Sequence, residues 1–467
     1  MTKDLTVGSP MGLILSFGLP TLLGMLFQQF YNLMDTMIVG KLLGAQALAA
    51  VGSTSSINFF VIGFCMGVCS GFAIPVAQRM GAGDYARMRR HVANAAYLSI
   101  LFATVLTVAT GLLCRTILTV MNTPGDIFAD AERYIFIIFM GIPTTFLYNL
   151  LAGILRSLGD SRTPVYFLAL SSVLNIALDF AFILWFDAGV AGAAIATVVS
   201  QGISGAACLV FMAKKFPVLR MSREERRLNW SSCRTLCIIG VPMGMQYSIT
   251  AIGSIVLQSA VNGLGSTYVA AVAAGSKLFQ LLGCPFDAMG ATMATYCGQN
   301  VGAWKLDRLG QGIRACTLLG VLYSALAFGG MLLFSEPCAM LFLNPGEPEV
   351  ERLVALTSQY IVISSAFFIP LSLVNIVRFS IQGMGYSGFA ILAGVLEMAA
   401  RTGVAFFLVP VFGYTAACFA SPAAWVCADL FLIPASLICI GRLRRKMPVQ
   451  AAAREPAPQK TLETART

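Results

Sequence analysis

The chain is divided into about twelve apolar segments, and each reaches the roughly 20 residues that a helix needs to cross a lipid bilayer. Hydrophobic residues make up 57% of the 467 residues and charged residues only 11%, whereas soluble domains have roughly 25% charged residues. The short alternating segments of a barrel are absent, so helices are the remaining structure that satisfies the backbone in hydrocarbon. The sequence predicts an all-α polytopic membrane protein with transmembrane helices at 12–38, 47–78, 90–112, 131–156, 163–186, 189–213, 234–262, 268–298, 310–334, 351–383, 387–410 and 414–440.

The same pattern occurs twice, at an offset near 221. Gly18-Leu-Pro20 returns as Gly240-Val-Pro242, and Gln78-Arg-Met-Gly-Ala82 returns as Gln299-Asn-Val-Gly-Ala303. Six helices bring a chain back to its starting side, so the two copies share one orientation. Parallel repeats of this kind imply two six-helix bundles with the substrate path between them. We expect an N-terminal lobe over 1–213, a linker over 214–233, a C-terminal lobe over 234–440 and a basic, then disordered tail over 441–467.

The formal charge of +10 is distributed in alternate loops. Basic residues concentrate at 79–90, 156–162, 214–227, 305–314 and 442–446, whereas the intervening loops carry only Lys41, Arg115, Arg133 and Arg352. This alternation is typical of the positive-inside rule and predicts that both termini are cytoplasmic. It argues against nucleic acid as a partner. The first apolar run has no small-residue cleavage site, and we expect it to be a retained helix of a cell-membrane protein.

Two carboxylates interrupt apolar runs of the first copy. Asp35 and Asp179 each lie in the outer portion of an outward-running predicted helix, at similar depth. Asn175 is one turn from Asp179 on the same face, Thr197 lies at a compatible depth on the sixth helix, and Asn149 follows Pro143 on the fourth. Thr197 and Asn149 are also explained by ordinary hydrogen bonds between helices.

A charged side chain inside the bilayer costs about 2.5–3.5 kcal/mol or more, so such residues face the protein interior or a wet cavity. A close pair of carboxylates can hold a proton near neutral pH and release it when the cavity changes. With amide and hydroxyl oxygens added, Asp35, Asn175 and Asp179 suit Na⁺ equally well. The coupling ion is therefore open between H⁺ and Na⁺, and no other cofactor is expected.

The second copy carries different charges. Glu397 and Arg401 are one turn apart and predict an internal ion pair that Arg378 could join. Asp287 adds a fourth charge on the eighth helix. These four residues form either a neutralised polar brace or a second coupling or substrate site. Pro20, near the start of the first helix, is a hinge candidate, and a static bend is the alternative.

Other chemistry finds little support in the sequence. The only histidine, His91, follows Arg89 and Arg90, and we expect it at the surface. The cysteines lie in apolar runs without histidine partners, which is typical of packing residues. Walker loops, nucleophile elbows and paired zinc ligands are absent, so we expect neither an enzyme nor an ATP-driven pump. Within the linker, Ser222-Arg-Glu-Glu225 predicts a capping box that opens a short amphipathic helix.

Residues 11–440 resemble the multidrug and toxic compound extrusion (MATE) family of secondary antiporters. The resemblance rests on the Gly-Leu-Pro opening, Asp35, Leu43-Gly-Ala, Gln78-Arg-Met-Gly-Ala82, Leu155-Arg-Ser-Leu-Gly-Asp-Ser-Arg-Thr-Pro164, Asn175 with Asp179, and Gln299-Asn-Val-Gly-Ala303. It implies twelve helices in two six-helix lobes that form a V-shaped central cleft. It also implies export of cationic or amphipathic compounds in exchange for H⁺ or Na⁺, and a cation site at Asp35, Asn175, Asp179 and Thr197, with Asn149 nearby.

One departure from the family pattern bears on the coupling site. Some members carry acids on the seventh and tenth helices, where this chain reads Gln246-Tyr-Ser-Ile-Thr250 and Phe379-Ser-Ile-Gln-Gly383. The first lobe is therefore the expected site of ion coupling.

The expected function is multidrug efflux by alternating access, with the lipid bilayer and small organic cations as partners and a monomer as the expected state. Two alternatives stay open. Arg378, Arg401 and Lys277 would also suit a flippase for lipid-linked oligosaccharides or other lipids, and a membrane-embedded transferase or scaffold is an alternative of another class.

Overall fold

The structure, a computed structural model, describes residues 3–121, 123–343 and 349–447, and within them the side chain of Ala45 is left aside. The predicted disordered tail beyond Met447 lies outside the described residues. The described chain is helical, without a strand in those ranges. The first half contains α1 (Pro10–Gly44), α2 (Gln46–Gly81), α3 (Tyr85–Val120), α4 (Phe128–Met140 and Ile142–Ser157), α5 (Arg162–Trp185) and α6 (Gly189–Lys215). The second half contains α7 (Trp230–Asn262), α8 (Ser266–Gly302), α9 (Asp307–Met340), α10 (Val350–Ala366 and Phe368–Gly383), α11 (Ser387–Gly403 with Val404–Leu408) and α12 (Val409–Arg445).

The described helices account for twelve membrane-spanning segments. Nine helices are long and apolar enough to cross a bilayer, and two bent pairs raise the number to eleven. The longest, Ser387–Arg445, is interrupted at Gly413, where φ is +58°, so it counts as two, and the first turn of α12, before Gly413, lies on the α11 side of this break. Gly44, at φ +85°, makes the corresponding break between α1 and α2. Both breaks fall at glycine because other residues rarely adopt positive φ. The predicted fold class is confirmed.

The fourth and tenth helices, each expected as one membrane segment with a proline in its middle, are both bent. The two parts of α4 meet at 45° and the two parts of α10 at 51°. Pro143 and Pro370 each lie in the first turn of the second part. A proline cannot donate to the preceding turn and its ring crowds that turn, so a helix bends there. Because both bends recur at the same place in the repeat, they belong to the shared architecture.

The apolar core is divided between the halves. One large buried cluster extends from Ile38 to Leu236 and is built from α1 to α7. A second cluster is built mainly from α8 to α12, but it also contains Leu5, Ile14 and Phe17. The beginning of α1 therefore packs on the second half, although its sequence belongs to the first. This crossing connects movement of α1 to both halves.

The halves approach each other closely where glycines line α2 and α7. A Cβ atom added to Gly67 would lie 2.6 Å from the Met243 carbonyl oxygen and 2.8 Å from the Gly244 Cα. Gly71 lies against Gly240 in the same way. The neighbouring atoms belong to the backbone and cannot move aside as a side chain could, so only glycine, which has no Cβ atom, fits at this contact. These contacts between α2 and α7 lie toward the end of α2 that leads into the connection 82–84. The connection 303–306 after α8 lies on the same side of the protein, and we call this side the basic face.

An N-terminal strap, residues 3–8, crosses the basic face. Its Lys3 amide donates to the Gly159 carbonyl of the first half at 3.1 Å, and its Leu5 amide donates to Gln299 Oε1 of the second half at 3.0 Å. Lys305 Nζ donates to the Thr6 carbonyl at 2.8 Å. The strap thereby joins the two halves at their basic ends.

The linker is attached to α3 through one ion pair. Arg89 donates to both carboxylate oxygens of Glu225, at 2.8 and 2.6 Å. Ser222 and Glu225 form the predicted reciprocal capping contacts, yet the expected amphipathic helix is absent and a turn stands in its place. The bonds from Arg89, followed by those from Ser222, hold the pKa of Glu225 at about 2. The carboxylate is therefore ionised throughout the physiological range.

His91 was expected at the surface, and this is wrong. It is buried, with Nδ1 lacking a partner among the described residues. Helix α3 begins at Tyr85 rather than near residue 90, so His91 lies in its second turn, on the same face as the buried Met88 and Ala95. Because α3 starts earlier than expected, His91 lies within the helix, on its buried face, and not at an exposed helix start.

Replacing Gly67 with alanine should lower the free energy of unfolding by about 1–3 kcal/mol, because the methyl group forces apart backbones that are in contact. Thermal unfolding of the purified protein measures this change. Gly63→Ala is the matched control on the same helix, since its Cβ would lie 3.4 Å from Tyr247 Cβ, an ordinary contact. Equal melting temperatures for both variants would contradict the close approach at Gly67.

Replacing Glu225 with glutamine should destabilise the protein at pH 7, because Arg89 loses its bidentate partner. Glu224→Gln, on the exposed neighbour, is the control. The folded pKa is depressed, so the stabilisation is complete above the unfolded value of about 4.3 and is lost as the pH falls toward the folded value. The difference between wild type and Glu225→Gln should therefore be equal at pH 7 and pH 6. A difference that disappears between those values would contradict this assignment.

Candidate functional site

The two carboxylates of the first half meet in the interior of that half. Asp179 on α5 is fully buried and Asp35 on α1 is half-buried. Their carboxyl groups lie within hydrogen-bonding reach of each other. The Oδ1 atom of each is buried and receives no hydrogen bond from the described residues. The similar depth predicted for the two acids thus becomes direct contact in the fold.

Polar side chains from α1, α5 and α6 surround this pair. Asn175 is fully buried, and its amide, oriented so that both ends are satisfied, donates to Asp179 Oδ2 at 2.9 Å. Tyr31 donates to Thr197 Oγ1 at 3.2 Å. Tyr31 and Asp35 are one turn apart, as are Asn175 and Asp179, so each helix presents two polar groups on one face. We call Asp35, Asn175, Asp179, Thr197 and Tyr31 the acidic site.

The helix that carries Asp179 changes its winding just beyond it. Residues Ala181–Trp185 are π-helical, and Ala188 donates to the Phe182 carbonyl as the chain leaves the helix. Such bulges are rare and frequently lie at functional sites. In the second half, α11 has the same feature at Val404–Leu408. The repeat therefore places a π segment in α5 and in α11, and only the first-half copy carries an acid beside it.

The geometry restricts the charge that the acidic site can hold. Two carboxylates at hydrogen-bonding distance repel each other when both are ionised, and burial makes the repulsion stronger. No basic side chain among the described residues forms an ion pair with either one. A shared proton or a bound cation would relieve the repulsion, and the orphaned Oδ1 atoms are the acceptors for either.

Two predicted residues stand apart from this contact set. Asn149 donates to the Thr145 carbonyl of its own helix at 2.9 Å, and no contact with the acids is seen. Pro20 lies within a continuous α1 whose only non-helical dihedrals are at Gly44, so its hinge role stays a prediction. It lines a groove with Ser16 and Tyr166.

Two tyrosines were missed by the sequence analysis. Tyr31 bonds to Thr197, and Tyr134 of α4 is buried near both acids. Tyr31 is one helical turn before Asp35, and that spacing was the available signal. Tyr134 had no comparable signal, because only the fold brings α4 to this point.

The charged residues of the second half form a separate cluster. Arg378 pairs with Glu397 Oε1, and Arg401 pairs with Glu397 Oε2 at 3.5 Å. All three are buried. The predicted internal ion pair, joined by Arg378, is therefore present. Gln382 donates to Gln246, so amides from α7 and α10 pair where some family members carry acids.

A fourth buried charge balances this cluster. Asp429 on α12 is 7% exposed and bears on the charge of Arg378. It was missed because it lies alone in an apolar run. Asp287, predicted as a member of the cluster, has an exposed side chain, but it also bears on the charge of Arg378. With Arg378 and Arg401 facing Glu397 and Asp429, the buried charges are equal in number and opposite in sign.

The described residues contain no group of three or more His, Cys, Asp or Glu side chains that could hold a transition metal. All thirteen cysteines are free, and most are buried, as expected of packing residues. The acidic site supplies carboxylate, amide and hydroxyl oxygens, which are hard ligands suited to H⁺ or Na⁺.

Comparison with known proteins places this geometry in a family. The MatE family model matches residues 20–181 and 242–407, one segment in each half. The chain belongs to the MatE family. The resemblance to MATE proteins is thereby confirmed, and the chain is a multi-pass membrane protein.

Relatives of this MatE protein are about 30% identical to it over the aligned residues. It is 31% identical over 314 residues to the probable multidrug resistance protein YpnP of Bacillus subtilis (strain 168), a match that covers 66% of this chain and 68% of that protein. It is 30% identical over 338 residues to the probable multidrug resistance protein YoeA of the same organism, covering 71% and 73%.

A solved structure has the same fold. It is described as the outward-facing conformation of a multidrug resistance MATE family transporter of the MOP superfamily, and it aligns with a TM-score of 0.87 over 95% of this chain and 100% of that chain. The two sequences are 21% identical, so the comparison shows the fold alone.

Labelling of the acidic site by a hydrophobic carbodiimide tests whether it retains a proton. The reagent modifies protonated carboxyl groups in apolar surroundings, so we expect Asp179 to be labelled at pH 7. Asp35→Asn should reduce this labelling, because Asp179 loses its repelling neighbour and ionises more readily. Peptide mass spectrometry reads each site, and Asp187→Asn is the control on the same helix hairpin. Labelling of Asp179 that is indifferent to Asp35→Asn would contradict a shared proton.

Proposed function

We propose that this MatE protein is a secondary multidrug efflux antiporter that exports cationic or amphipathic compounds in exchange for H⁺ or Na⁺. Membership of the family and the names of its relatives support export of drugs. The observation that carries ion coupling is the buried contact between Asp35 and Asp179, where two acids lack a counter-charge.

The acidic site connects ion binding to conformation through α1. Asp35 lies on α1, whereas Asp179 and Asn175 lie on α5 and Thr197 on α6. Binding of a cation between them draws α1 toward α5 and α6, and loss of the cation lets the carboxylates repel. Since the start of α1 also packs on the second half, this movement reaches both lobes. Pro20, between these two regions, is the proposed flexible point.

Transport then proceeds by alternating access. The lobes are joined at the basic face by the α2–α7 contact and the strap, and opening that face requires both to separate. Substrate binds in the cleft when the basic face is open. An ion from the outer side binds the acidic site and favours its release outward. Coupling requires only that the inward-open and outward-open states differ in their affinity for the ion and for the substrate.

The second lobe is proposed as the opposing wall of the substrate path. Arg378 of α10 and Arg401 of α11 both pair with Glu397, and Asp429 of α12 bears on the charge of Arg378, so these four buried charges balance one another without an ion from outside. The same pairing weakens the flippase alternative, because Arg378 and Arg401 face Glu397 rather than a free space for diphosphate.

The cellular setting is also part of the proposal. The basic face carries the loops richest in lysine and arginine and is assigned to the cytoplasm, with both termini on that side. The protein is proposed to act as a monomer in the cell membrane, with the lipid bilayer and organic cations as its partners.

Proteoliposomes with separately imposed pH and Na⁺ gradients test the coupling. Wild-type protein should export a cationic dye when one of these gradients is imposed. Asp179→Asn should reduce gradient-driven export at least about tenfold, because one ionisable carboxylate of the pair is lost, a change worth about 1.4 kcal/mol or more.

Glu351→Gln is the matched control, since it removes an exposed acid from the other lobe, and it should retain wild-type export. Full gradient-driven export by Asp179→Asn would contradict coupling at this site. Equal loss in both variants would indicate a general effect of removing negative charge.

A further inference from the structure

A second polar feature lies between the lobes, away from the acidic site. A small cavity of about 50 Å³ is bounded by both halves. The first half contributes Ser70 and Ala73 of α2 and Arg156 of α4, and the second contributes Met243 and Phe379, among others. The walls are small or apolar except near Arg156. This is the composition of a site for an amphipathic molecule.

Arg156 brings an unbalanced positive charge to this cavity. No described residue forms an ion pair or hydrogen bond with its side chain, and the groups that bear most on its charge are Tyr148, Tyr247 and Cys69. The carboxylate of Asp160, one turn on, accepts from the backbone amides of Arg162 and Thr163 and has a further interaction of its own. Arg156 is half-buried, and a guanidinium against apolar walls without a counter-ion loses part of its hydration, so its presence requires an explanation.

A structural explanation is incomplete. Arg156 lies in the last turn of α4, where a cation interacts favourably with the helix dipole. That interaction would be equally available to an arginine directed toward the solvent at the basic face. It does not account for a guanidinium that lines a cavity between the lobes.

The repeat shows that the fold does not need a cation at this position. Leu155-Arg-Ser-Leu-Gly159 corresponds to Ile381-Gln-Gly-Met-Gly385, because Gly159 and Gly385 end these segments with φ of +87° and +90°. Arg156 therefore corresponds to Gln382. Gln382 is neutral and has a partner in Gln246, whereas Arg156 is charged and has none. The substitution adds a recognition group to one lobe only.

We propose that Arg156 is an anion subsite of the substrate path, which receives a carboxylate on an otherwise apolar or cationic substrate. The inference rests on the proposed function and narrows its substrate class to include zwitterionic amphipaths. The guanidinium binds the carboxylate through parallel N–H donors, while Met243 and Phe379 contact the apolar body. The acidic site of the first lobe remains the ion site and is not part of this contact.

Binding of two matched dyes to the purified, full-length protein tests the subsite. One is a rhodamine with a free carboxylate, and the other is the methyl ester of the same dye. Arg156→Gln, which introduces the residue found at the repeat position, should weaken binding of the free acid by roughly 10- to 100-fold, the range expected for losing charge-assisted hydrogen bonds. Binding of the ester should change less than about threefold. Arg156→Lys should restore part of the affinity for the acid.

Arg314→Gln is the control for loss of one arginine charge at an exposed position, and it should bind both dyes as wild type does. Equal effects of Arg156→Gln on acid and ester, or no binding of the acid by wild type, would overturn the proposal. The assay uses no gradient, so export of the ester in proteoliposomes tests the proposed function separately. If the ester is exported but binding of the free acid does not depend on Arg156, the anion subsite is rejected and the proposed function is retained.

Discussion

The cost of an uncompensated charge in a low-dielectric interior determines how the two halves of this protein differ. The second half pairs Arg378 and Arg401 with Glu397 and adds Asp429 nearby. The first half brings Asp35 and Asp179 together without a cation. Paired charges stabilise one arrangement, whereas two acids in contact require something from outside. The same duplicated fold can thus provide a fixed wall on one side and an ion-responsive site on the other.

This asymmetry acts through elements that both halves share. Prolines bend α4 and α10, and π segments interrupt α5 and α11, at corresponding places. The acidic site lies beside one of these irregular points. Irregular backbone within a membrane helix is tolerated where neighbouring helices satisfy it. Such points also yield with less loss of hydrogen bonding than regular helix, which suits a site that must rearrange.

The basic face determines how firmly the lobes are joined. Glycine pairs on α2 and α7 allow backbone contact, and the N-terminal strap bonds to Gly159 on one side and Gln299 on the other. Hydrogen bonds of this kind are individually worth about 1 kcal/mol, so a few of them can be broken by ligand binding. A joint made from several weak contacts is compatible with reversible opening.

The sequence by itself determined the features that depend on local periodicity. Segment length and apolar content predicted the helices, the repeat predicted two like halves, and one-turn spacing placed Asn175 beside Asp179. These properties depend on residues that are close together in the sequence, so they can be predicted without knowing which distant segments pack together. Bends at Pro143 and Pro370 were indicated by residue type, but their angle depended on packing.

Only the tertiary structure decided which distant residues meet. It brought Tyr134 to the acids, placed Asp429 near Arg378, buried His91 and packed the start of α1 on the second half. It also placed Arg156 at a cavity between the lobes, where no described residue forms an ion pair with it. In a bundle of helices that are apolar on most faces, periodicity does not specify which faces make contact. Those contacts depend on the packing of all twelve helices together.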